Sequence, residues 1–353
     1  MNTTHWSVEN NVDNFEDYPQ VAEAAQYIRD NQIVAFPTET VYGLGANAYS
    51  DEAVAQIFAA KGRPSDNPLI VHIAEYQQLE KLVAGISKQV KLLITAFWPG
   101  PLTLIFPKKS GVLSDLVTAG LDTVAIRMPS HPVALALIRT SGLPIAAPSA
   151  NRSGKPSPTT AKHVEQDLDG RIAGILDGGA TGVGLESTVL DCTGPFPVIL
   201  RPGGITKEEL ERVVKDKIEV ASHLLEKTDV PRAPGMKYKH YSPSAPLYLV
   251  DGEVGWIQSL IDEKRKQGFK VGMLASTETQ SKYKADLVLD VGSRNNLDHV
   301  AHQLYHTLRE FDQSNVDLIY SEIFPQSDVG VAIMNRLEKA AGHHWVIQEK
   351  QDS

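Results

Sequence analysis

The sequence predicts an α/β protein with two domains, a larger mixed-sheet domain and a smaller, Rossmann-like, mostly parallel one. The chain of 353 residues is too long for one typical compact core. Short apolar runs alternate with Gly/Pro turns and helix-like stretches, which is typical of mixed α/β folds. This alternation is interrupted by a proline-rich stretch between Lys227 and Pro246. We place the first domain at residues 1–210, a linker at 211–245 and the second domain at 246–353.

The apolar runs of the first domain are short enough to be strands. They are Ile33–Phe36, Leu69–Ile73, Leu102–Phe106, Thr123–Met128, Ile145–Ala147, Thr188–Leu190 and Val198–Leu200. A helix is predicted after Ser50, because Val54 and Ile57 recur at helical spacing and Gly62 stands where a helix would end. Another helix should begin near Thr206, which forms a capping-box pattern with Glu209.

The linker is predicted to be extended and semi-rigid, because it contains several prolines. Such a segment can lie along a protein surface in a defined path. The second domain follows with a new series of apolar runs between helix-like segments, which predicts a small, mostly parallel sheet. These runs are Leu247–Val250, Val271–Leu274, Leu287–Val291 and Leu318–Tyr320. The second domain has no glycine-rich phosphate loop or internal repeat, and its sequence assigns it no function.

Composition excludes several classes of protein. A hydrophobic content of 42% and a charged content of 22% are ordinary for a globular chain. The single cysteine, Cys192, cannot form an internal disulfide or a cysteine-rich zinc site, which fits a reducing compartment. The polar segment from Met1 to Gln20 resembles neither a signal peptide nor a membrane helix, so we expect a cytoplasmic protein without a membrane partner. A formal net charge of −9 disfavours nonspecific binding of nucleic acid.

A polar segment, Pro37–Gly45, directly follows a predicted strand and is expected to form a turn. It brings hydroxyls, the Glu39 carboxylate and two glycines to a strand end, where functional sites are often found. The alternative is a plain connection in which Thr and Glu side chains only cap backbone amides.

Two positive charges flank a glycine in Lys61-Gly62-Arg63, on a loop that also contains two prolines. Such a loop suits an anionic ligand, although a solvated charged turn is the usual alternative. Asn67 and His72 follow as the chain enters an apolar strand. For His72 we favour ligand contact over a general-base role, because the sequence identifies no carboxylate to orient it.

Strand periodicity places Arg127 on one face with Thr123 and Ala125. An arginine in such surroundings requires an anion, which is either a protein carboxylate or a substrate. Three further polar segments lie at the ends of apolar runs: Ala147–Ser157, Glu186–Thr188 and Leu200–Gly204. Ser149 is not in a nucleophile-elbow motif, so these segments indicate hydrogen-bond donation to phosphates or a carboxylate.

Four of these motifs together resemble the YrdC family in order and spacing. They are Pro-Thr-Glu-Thr-x-Tyr-Gly-Leu at Pro37–Leu44, Lys-x-Arg at Lys61–Arg63, Ser-x-Asn at Ser149–Asn151 and Glu-Ser-Thr at Glu186–Thr188. The chain length, the linker and the trailing domain are similar to the long, two-domain form of this family. The resemblance implies a twisted mixed sheet in the first domain. It also implies synthesis of L-threonylcarbamoyladenylate from L-threonine, bicarbonate and ATP, with release of pyrophosphate, as the first step of threonylcarbamoyladenosine formation in tRNA.

The resemblance also implies residue roles. The threonine pocket would consist of Thr40, His72, Arg127, Ala147 and Ser187. The ATP site would consist of Arg63, Asn67, Thr123, Ser149, Ser157, Arg201 and Tyr241. Lys61 and Arg63 would serve catalysis, with Lys61 helping to bind bicarbonate or phosphate. Mg²⁺ is expected with ATP, and no metal site on the protein itself is expected.

Tyr241 lies in the linker, which could therefore close over the nucleotide as a lid and protect the labile product from water. No residue identifies itself as an acid–base catalyst, so we expect catalysis mainly by proximity and electrostatic stabilisation. The expected partner is a downstream threonylcarbamoyl transferase that modifies tRNA, with direct tRNA binding weak or absent. Two alternatives remain at this point: an RNA-binding module without turnover, and a carbamoyltransferase that uses carbamoyl phosphate.

Overall fold

The computed structural model describes residues 2–8, 18–221 and 240–349. The chain divides into two compact units. The first comprises Met1–Ser153 and Ser157–Tyr238, and the second comprises Gly154–Pro156 and Lys239–Ser353. Most of the predicted linker, including Pro231 and Pro234, lies outside the described residues.

The first unit is built on one large sheet of parallel and antiparallel strands. Its strands are β1 (Thr4–Ser7), β2 (Val34–Phe36), β3 (Gly43–Asn47), β4 (Ile70–His72), β5 (Leu102–Pro107), β6 (Thr123–Arg127), β7 (Ile145–Ala146), β8 (Gly174–Asp177), β9 (Thr188–Asp191), β10 (Val198–Arg201) and β11 (Glu219–Val220). Their order is β1-β8-β2-β3-β7-β4-β6-β5-β9-β10-β11. The predicted mixed sheet is confirmed.

Eight helices accompany this sheet among the described residues. They are α1 (Pro19–Arg29), α2 (Asp51–Lys61), α3 (Tyr76–Leu82), α4 (Lys88–Phe97), α5 (Asp115–Thr118), α6 (Pro132–Ser141), α7 (Ala161–Leu168) and α8 (Lys207–Val214). Both predicted helices are present. The Ser50 hydroxyl caps the start of α2, and Gly62 ends it in the left-handed conformation, with φ +62. Thr206 and Glu209 form the predicted capping box of α8.

All seven apolar runs of the first domain contain strands, but four strands are additional. They are β1, β3, β8 and β11. The prediction of a turn over Pro37–Gly45 is wrong for its last three residues, because β3 already begins at Gly43. Glycine is required here by close approach: a Cβ on Gly45 would lie 2.8 Å from both Phe36 and Ile145. Two glycines therefore signal a crowded strand rather than a turn.

The main core lies on one face of this sheet. Val54 and Ile57 of α2, Leu93 of α4 and Leu210 of α8 are fully buried there. A second cluster contains Ile28 of α1 and residues of α6. A third, much smaller cluster holds one buried side chain from each of five neighbouring strands: Ile70, Ile105, Ala125, Val189 and Leu200. This small cluster, called the apolar floor below, belongs to the face that carries Arg127, because Ala125 and Arg127 are two residues apart on β6.

The second unit is built on a small sheet in which all strands are parallel, where the sequence predicted a mostly parallel one. Its elements are β12 (Leu247–Asp251), α9 (Val254–Lys266), β13 (Val271–Ala275), β14 (Leu287–Asp290), α10 (Leu297–Phe311), β15 (Leu318–Glu322), α11 (Gly330–Ala340) and β16 (Trp345–Ile347). The order is β14-β13-β15-β12-β16, and every pair is parallel. The edge strand β16 was not predicted. Among the described residues, no helix has both the length and the apolar character needed to span a membrane.

Candidate active site

Arg127, the last residue of β6, is the centre of a buried polar cluster. Its Nη2 lies 2.6 Å from Glu39 Oε1. Its Nη1 donates to the Thr40 hydroxyl at 2.8 Å, and its Nε donates to the Gly100 carbonyl at 3.3 Å. Only 4% of the Arg127 side chain is exposed. Of the two anions that the sequence allowed for this arginine, the protein carboxylate is present and is supplied by Glu39.

The segment after β2 supplies two of these partners. The Thr38 hydroxyl accepts hydrogen bonds from the backbone amides of Thr40 and Val41, at 3.1 and 3.3 Å. Backbone capping, the alternative raised from the sequence, therefore describes Thr38. It does not describe Thr40, whose hydroxyl contacts Arg127. The segment uses one hydroxyl to fix its own shape and the next to complete the arginine cluster.

His72, the last residue of β4, is the register partner of Arg127 on the neighbouring strand. Burial, reinforced by the positive charge of Arg127, lowers its pKa from 6.5 to about 3. His72 is therefore neutral at physiological pH. Its Nδ1 is buried and has no hydrogen-bond partner among the described residues. A neutral imidazole with an unused ring nitrogen can contact a ligand, and a base with so low a pKa is weak; ligand contact by His72 stays a prediction.

Ser187, just before the start of β9, contacts Arg201, the last residue of β10. Arg201 Nε and Nη2 donate to the Ser187 carbonyl at 3.2 and 3.0 Å, and Nη2 also reaches the Ser187 hydroxyl at 3.2 Å. A bulge lies in β10: Ile199 pairs with Leu190, whereas Arg201 pairs with Val189. The extra residue places Arg201 on the face of Val189, which belongs to the apolar floor. Without this bulge the alternation of the strand would point Arg201 to the opposite face.

Thr103 of β5 joins these groups and was missed by sequence reasoning. Its hydroxyl lies 2.7 Å from the Ser187 hydroxyl. The register of β5 with β6 places Thr103 beside Arg127. The sequence did contain a signal for it. Thr103 is a polar residue inside an apolar run, and strand alternation places it on the same face as Ile105. The predicted threonine-pocket residues Thr40, His72, Arg127 and Ser187 thus come together. Ala147 lies beside β4, where its amide donates to the Ile70 carbonyl at 2.9 Å.

Lys61 joins two of the predicted loops. Its ammonium donates to the carbonyls of Ser149 and Asn151 at 2.5 and 2.6 Å, and lies 3.3 Å from Asn151 Oδ1. The Ser153 amide returns a bond to the Lys61 carbonyl at 3.0 Å. Lys61 is only 2% exposed, which contradicts the alternative of a solvated turn at this position. Arg152 adds a further link by donating to the Ala60 carbonyl at 2.6 Å.

Asn67, just before β4, is fully buried, and neither atom of its side-chain amide has a hydrogen-bond partner among the described residues. Its backbone carbonyl accepts a bond from Arg63 at 3.3 Å. The parallel pairing of β4 and β6 places Asn67 at the same end as Thr123. Buried, unsatisfied amides are rare because each lost hydrogen bond is costly. The Asn67 amide is therefore available to hydrogen-bond a ligand.

Ser149 and Ser157 each contact another polar side chain. The Ser149 hydroxyl donates to Asn151 Oδ1 at 2.6 Å, and Ser149 forms an isolated bridge with Gly43. The Ser157 hydroxyl donates to Glu186 Oε1 at 2.5 Å and is fully buried. Glu186 thus fixes the rotamer of Ser157, which connects the Glu-Ser-Thr motif to the loop after Ser149.

These groups define a sheet face with polar ends and an apolar middle. Arg127, His72, Ser187 and Arg201 lie at one end, and Thr123 and Asn67 lie at the other. The length of β6 separates Thr123 from Arg127 by about 13 Å at roughly 3.3 Å per residue. The apolar floor lies between them. Such a face can accommodate an elongated ligand with polar groups at both ends.

Tyr241 belongs to the second unit and has a left-handed backbone, with φ +64. Its ring is buried and stacks on Tyr305, with centroids 5.2 Å apart. The Arg336 guanidinium lies 5.7 Å from the Tyr241 ring. Its predicted contact with ATP stays a prediction. Within the described residues, no cluster of three or more His, Cys, Asp or Glu side chains is placed to hold a metal ion.

Comparisons with known proteins give a consistent result along the chain. A family model for Sua5, YciO and YrdC, described as "Telomere recombination", matches residues 26–203. A second model, described as "Threonylcarbamoyl-AMP synthase, C-terminal domain", matches residues 205–342. The threonylcarbamoyl-AMP synthase of Bacillus subtilis is 57% identical over 342 residues, which cover 97% of this chain and 99% of that protein. That of Pyrococcus abyssi is 49% identical over 328 residues, covering 92% and 94%.

Solved structures agree with the sequence comparisons. The crystal structure of P. abyssi Sua5 complexed with L-threonine matches with a TM-score of 0.91 and 46% identity, covering 98% of this chain and 100% of that one. The fold and the site motifs together place this chain in the Sua5/YciO/YrdC class. The chain belongs to the threonylcarbamoyl-AMP synthase family in its two-domain Sua5 form, which confirms the resemblance found in the sequence.

Proposed function

We propose that this protein makes L-threonylcarbamoyladenylate from L-threonine, bicarbonate and ATP, and releases pyrophosphate. This reaction is the first step of threonylcarbamoyladenosine formation in tRNA. The observation that carries the proposal is the match along almost the whole chain to the B. subtilis threonylcarbamoyl-AMP synthase. The buried contacts within and between the family motifs, such as those of Lys61 with Ser149 and Asn151, support it.

Threonine binds at the Arg127 end of this face. Arg127 receives the carboxylate through N–H groups that Thr40, Glu39 and Gly100 leave available, since a guanidinium has five donors. The Thr40 and Ser187 hydroxyls and the neutral His72 line the pocket, with Ala147 providing apolar contact. L-Threonine in the P. abyssi structure supports this choice of substrate.

ATP binds along the rest of the face. Asn67 offers an unused buried amide. Thr123, Ser149 and Ser157 offer hydroxyls, and Arg63 and Arg201 offer positive charge towards the phosphates. Mg²⁺ arrives with ATP as part of the substrate, held by the phosphate oxygens.

The chemistry requires two bond-forming steps. The threonine nitrogen bonds to the carbon of bicarbonate with loss of water, and an oxygen of the resulting carbamate then bonds to the α-phosphorus as pyrophosphate leaves. The arginines stabilise charge that develops on phosphate oxygens. Lys61 contributes by holding the Ser149–Asn151 loop, and it helps to bind bicarbonate or phosphate. Most of the rate enhancement comes from proximity and charge stabilisation.

The linker closes over the bound nucleotide and protects the mixed anhydride from water. Tyr241, at the described end of the linker, is the residue at which this proposal is tested. The Tyr241→Ala variant should bind ATP more weakly and release more hydrolysed product. Unchanged ATP affinity together with unchanged product yield would contradict the lid.

The adenylate product is unstable, so a second enzyme must use it soon after it forms. We place the protein in the cytoplasm, where it delivers the adenylate to a threonylcarbamoyl transferase that acts on tRNA. Direct binding of tRNA is weak or absent, in keeping with the net charge of −9.

Pyrophosphate release from Mg²⁺-ATP tests the proposed function. Release should require both threonine and bicarbonate, and omission of either should reduce it to background. Release that does not depend on threonine would overturn the assignment.

A further inference from the structure

We propose that Glu39 binds the ammonium group of threonine and accepts its proton, as a catalytic base of the reaction. The inference rests on the proposed function, and it adds an acid–base group to a site for which the sequence predicted none. It starts from the way in which Glu39 and Arg127 meet.

The pair is close but poorly aligned. Glu39 Oε1 and Arg127 Nη2 lie 2.6 Å apart, yet neither atom makes a hydrogen bond of good geometry among the described residues. Both atoms therefore retain hydrogen-bonding capacity. The Glu39 side chain is held from the other side, where Oε2 accepts a bond from the Ser130 amide at 3.1 Å. Its backbone is also fixed, because its carbonyl accepts a bond from the Val183 amide at 2.7 Å.

Threonine is a zwitterion, and its ammonium is separated from its carboxylate by one carbon atom. A carboxylate bound to Arg127 therefore places the ammonium within reach of the residues that surround Arg127. Thr40 and Ser187 are neutral hydroxyls, and His72 is neutral because its pKa is about 3. Arg201 carries the same charge as the ammonium. Among the described contacts of Arg127, Glu39 supplies the negative charge that an ammonium requires.

Two charged or titratable groups of the described residues interact with Glu39, namely Arg127 and His131. Arg127 faces it from β6. Burial lowers the pKa of His131, at the start of α6, and the negative charge of Glu39 partly offsets this shift. About 13% of the Glu39 side chain is exposed, compared with 4% for Arg127, so the carboxylate is partly accessible from the site.

The chemistry requires such a group. The threonine nitrogen must lose a proton before its electron pair can bond to the bicarbonate carbon. Glu39 takes this proton. The neutral amine then forms the N–C bond while a C–O bond of bicarbonate breaks. The leaving hydroxide takes a second proton from the nitrogen and departs as water, and the carbamate keeps the negative charge of bicarbonate.

The Glu39→Gln variant tests this role through a pH profile. At pH 7 its kcat for pyrophosphate release should be roughly 100-fold below that of the unchanged protein. The deficit should shrink as the pH rises, because free threonine then supplies its own unprotonated amine. Glu39→Asp should recover part of the activity. Glu80→Gln, an exposed glutamate of α3, is the control and should behave like the unchanged protein. A kcat that is unaffected, or reduced equally at every pH, would overturn the proposal.

A second measurement uses the unchanged protein and so does not depend on the folding of a variant. The competitor 2,3-dihydroxybutanoate keeps the carboxylate and the side-chain hydroxyl of threonine but lacks the amine. It should bind at least about tenfold more weakly than threonine, since it offers Glu39 no positive charge. Equal binding of the two compounds would also overturn the proposal. Threonine-dependent pyrophosphate release by the unchanged protein tests the proposed function alone. If that release is observed while the two Glu39 tests fail, the Glu39 role is wrong and the proposed function still holds.

Discussion

At the scale of single residues, several site side chains are held in states that are unfavourable without a ligand. Asn67 is buried with an unsatisfied amide, His72 is buried and neutral, and Glu39 and Arg127 form a misaligned pair. Buried polar groups cost free energy unless they are paired. A binding site can accept this cost because the substrates later provide the missing partners.

Replacing Asn67 with leucine should separate stability from binding. The substitution keeps the branched shape and the number of side-chain heavy atoms and removes two unsatisfied polar atoms, so the free energy of unfolding without ligand should rise by about 1 kcal/mol. The affinity for ATP should fall at the same time. Urea unfolding and calorimetric titration with Mg²⁺-ATP measure the two effects.

Asn47→Leu provides the matched control for this substitution. The Asn47 amide donates to Asn31 Oδ1 at 3.0 Å, and its oxygen accepts a bond from the Tyr49 amide at 3.0 Å. Its replacement should lower the free energy of unfolding. A loss of stability in Asn67→Leu as large as that in Asn47→Leu would contradict our account of Asn67.

At the scale of elements, strand and helix ends place the functional groups. Arg127 and His72 end neighbouring parallel strands, and the bulge in β10 brings Arg201 to the same face. Helix α2 ends at Lys61 and leads directly into the loop that contains Arg63. Apolar runs and cap residues predicted these strands and helices. The bulge could not be predicted, because it depends on the pairing partner of β10.

The end of α2 can be tested at Gly62. Alanine at this left-handed position should lower the free energy of unfolding by about 1 kcal/mol. Its Cβ would also lie 3.0 Å from the Arg152 guanidinium, which should displace the loop and raise the KM for ATP. Gly85→Ala is the control, since no atom lies within 4 Å of its added Cβ and its φ is not in the left-handed region. Equal stabilities of the two variants would show that the helix end does not constrain the loop.

At the scale of the whole molecule, burial of the site makes stability depend on pH. The pKa of His72 is about 3 in the folded protein and 6.5 in its ordinary state. Between these values the unfolded chain binds a proton that the folded protein excludes. The contribution of His72 is therefore fully present above pH 6.5. As the pH falls below that value, the contribution decreases by about 1.4 kcal/mol per pH unit.

Urea unfolding at pH 6.5, 5.5 and 4.5 measures this dependence. The His72→Gln variant should lose stability less steeply than the unchanged protein as the pH falls, because glutamine has no proton to gain. His299→Gln, at an exposed position of α10, should parallel the unchanged protein. Parallel curves for His72→Gln and the unchanged protein would show that His72 is not excluded from protonation.

The sequence by itself determined the α/β class, the seven apolar strands of the first domain, the caps of α2 and α8, and the family with its motifs. These features depend on local periodicity, cap chemistry and residue spacing, which a single chain displays directly. The tertiary structure alone decided that Gly43–Gly45 form a strand, that Glu39 is the carboxylate against Arg127, and that Lys61 joins two loops. Each of these depends on residues far apart in the chain, because close approach, ion pairing and burial arise only when the strands assemble.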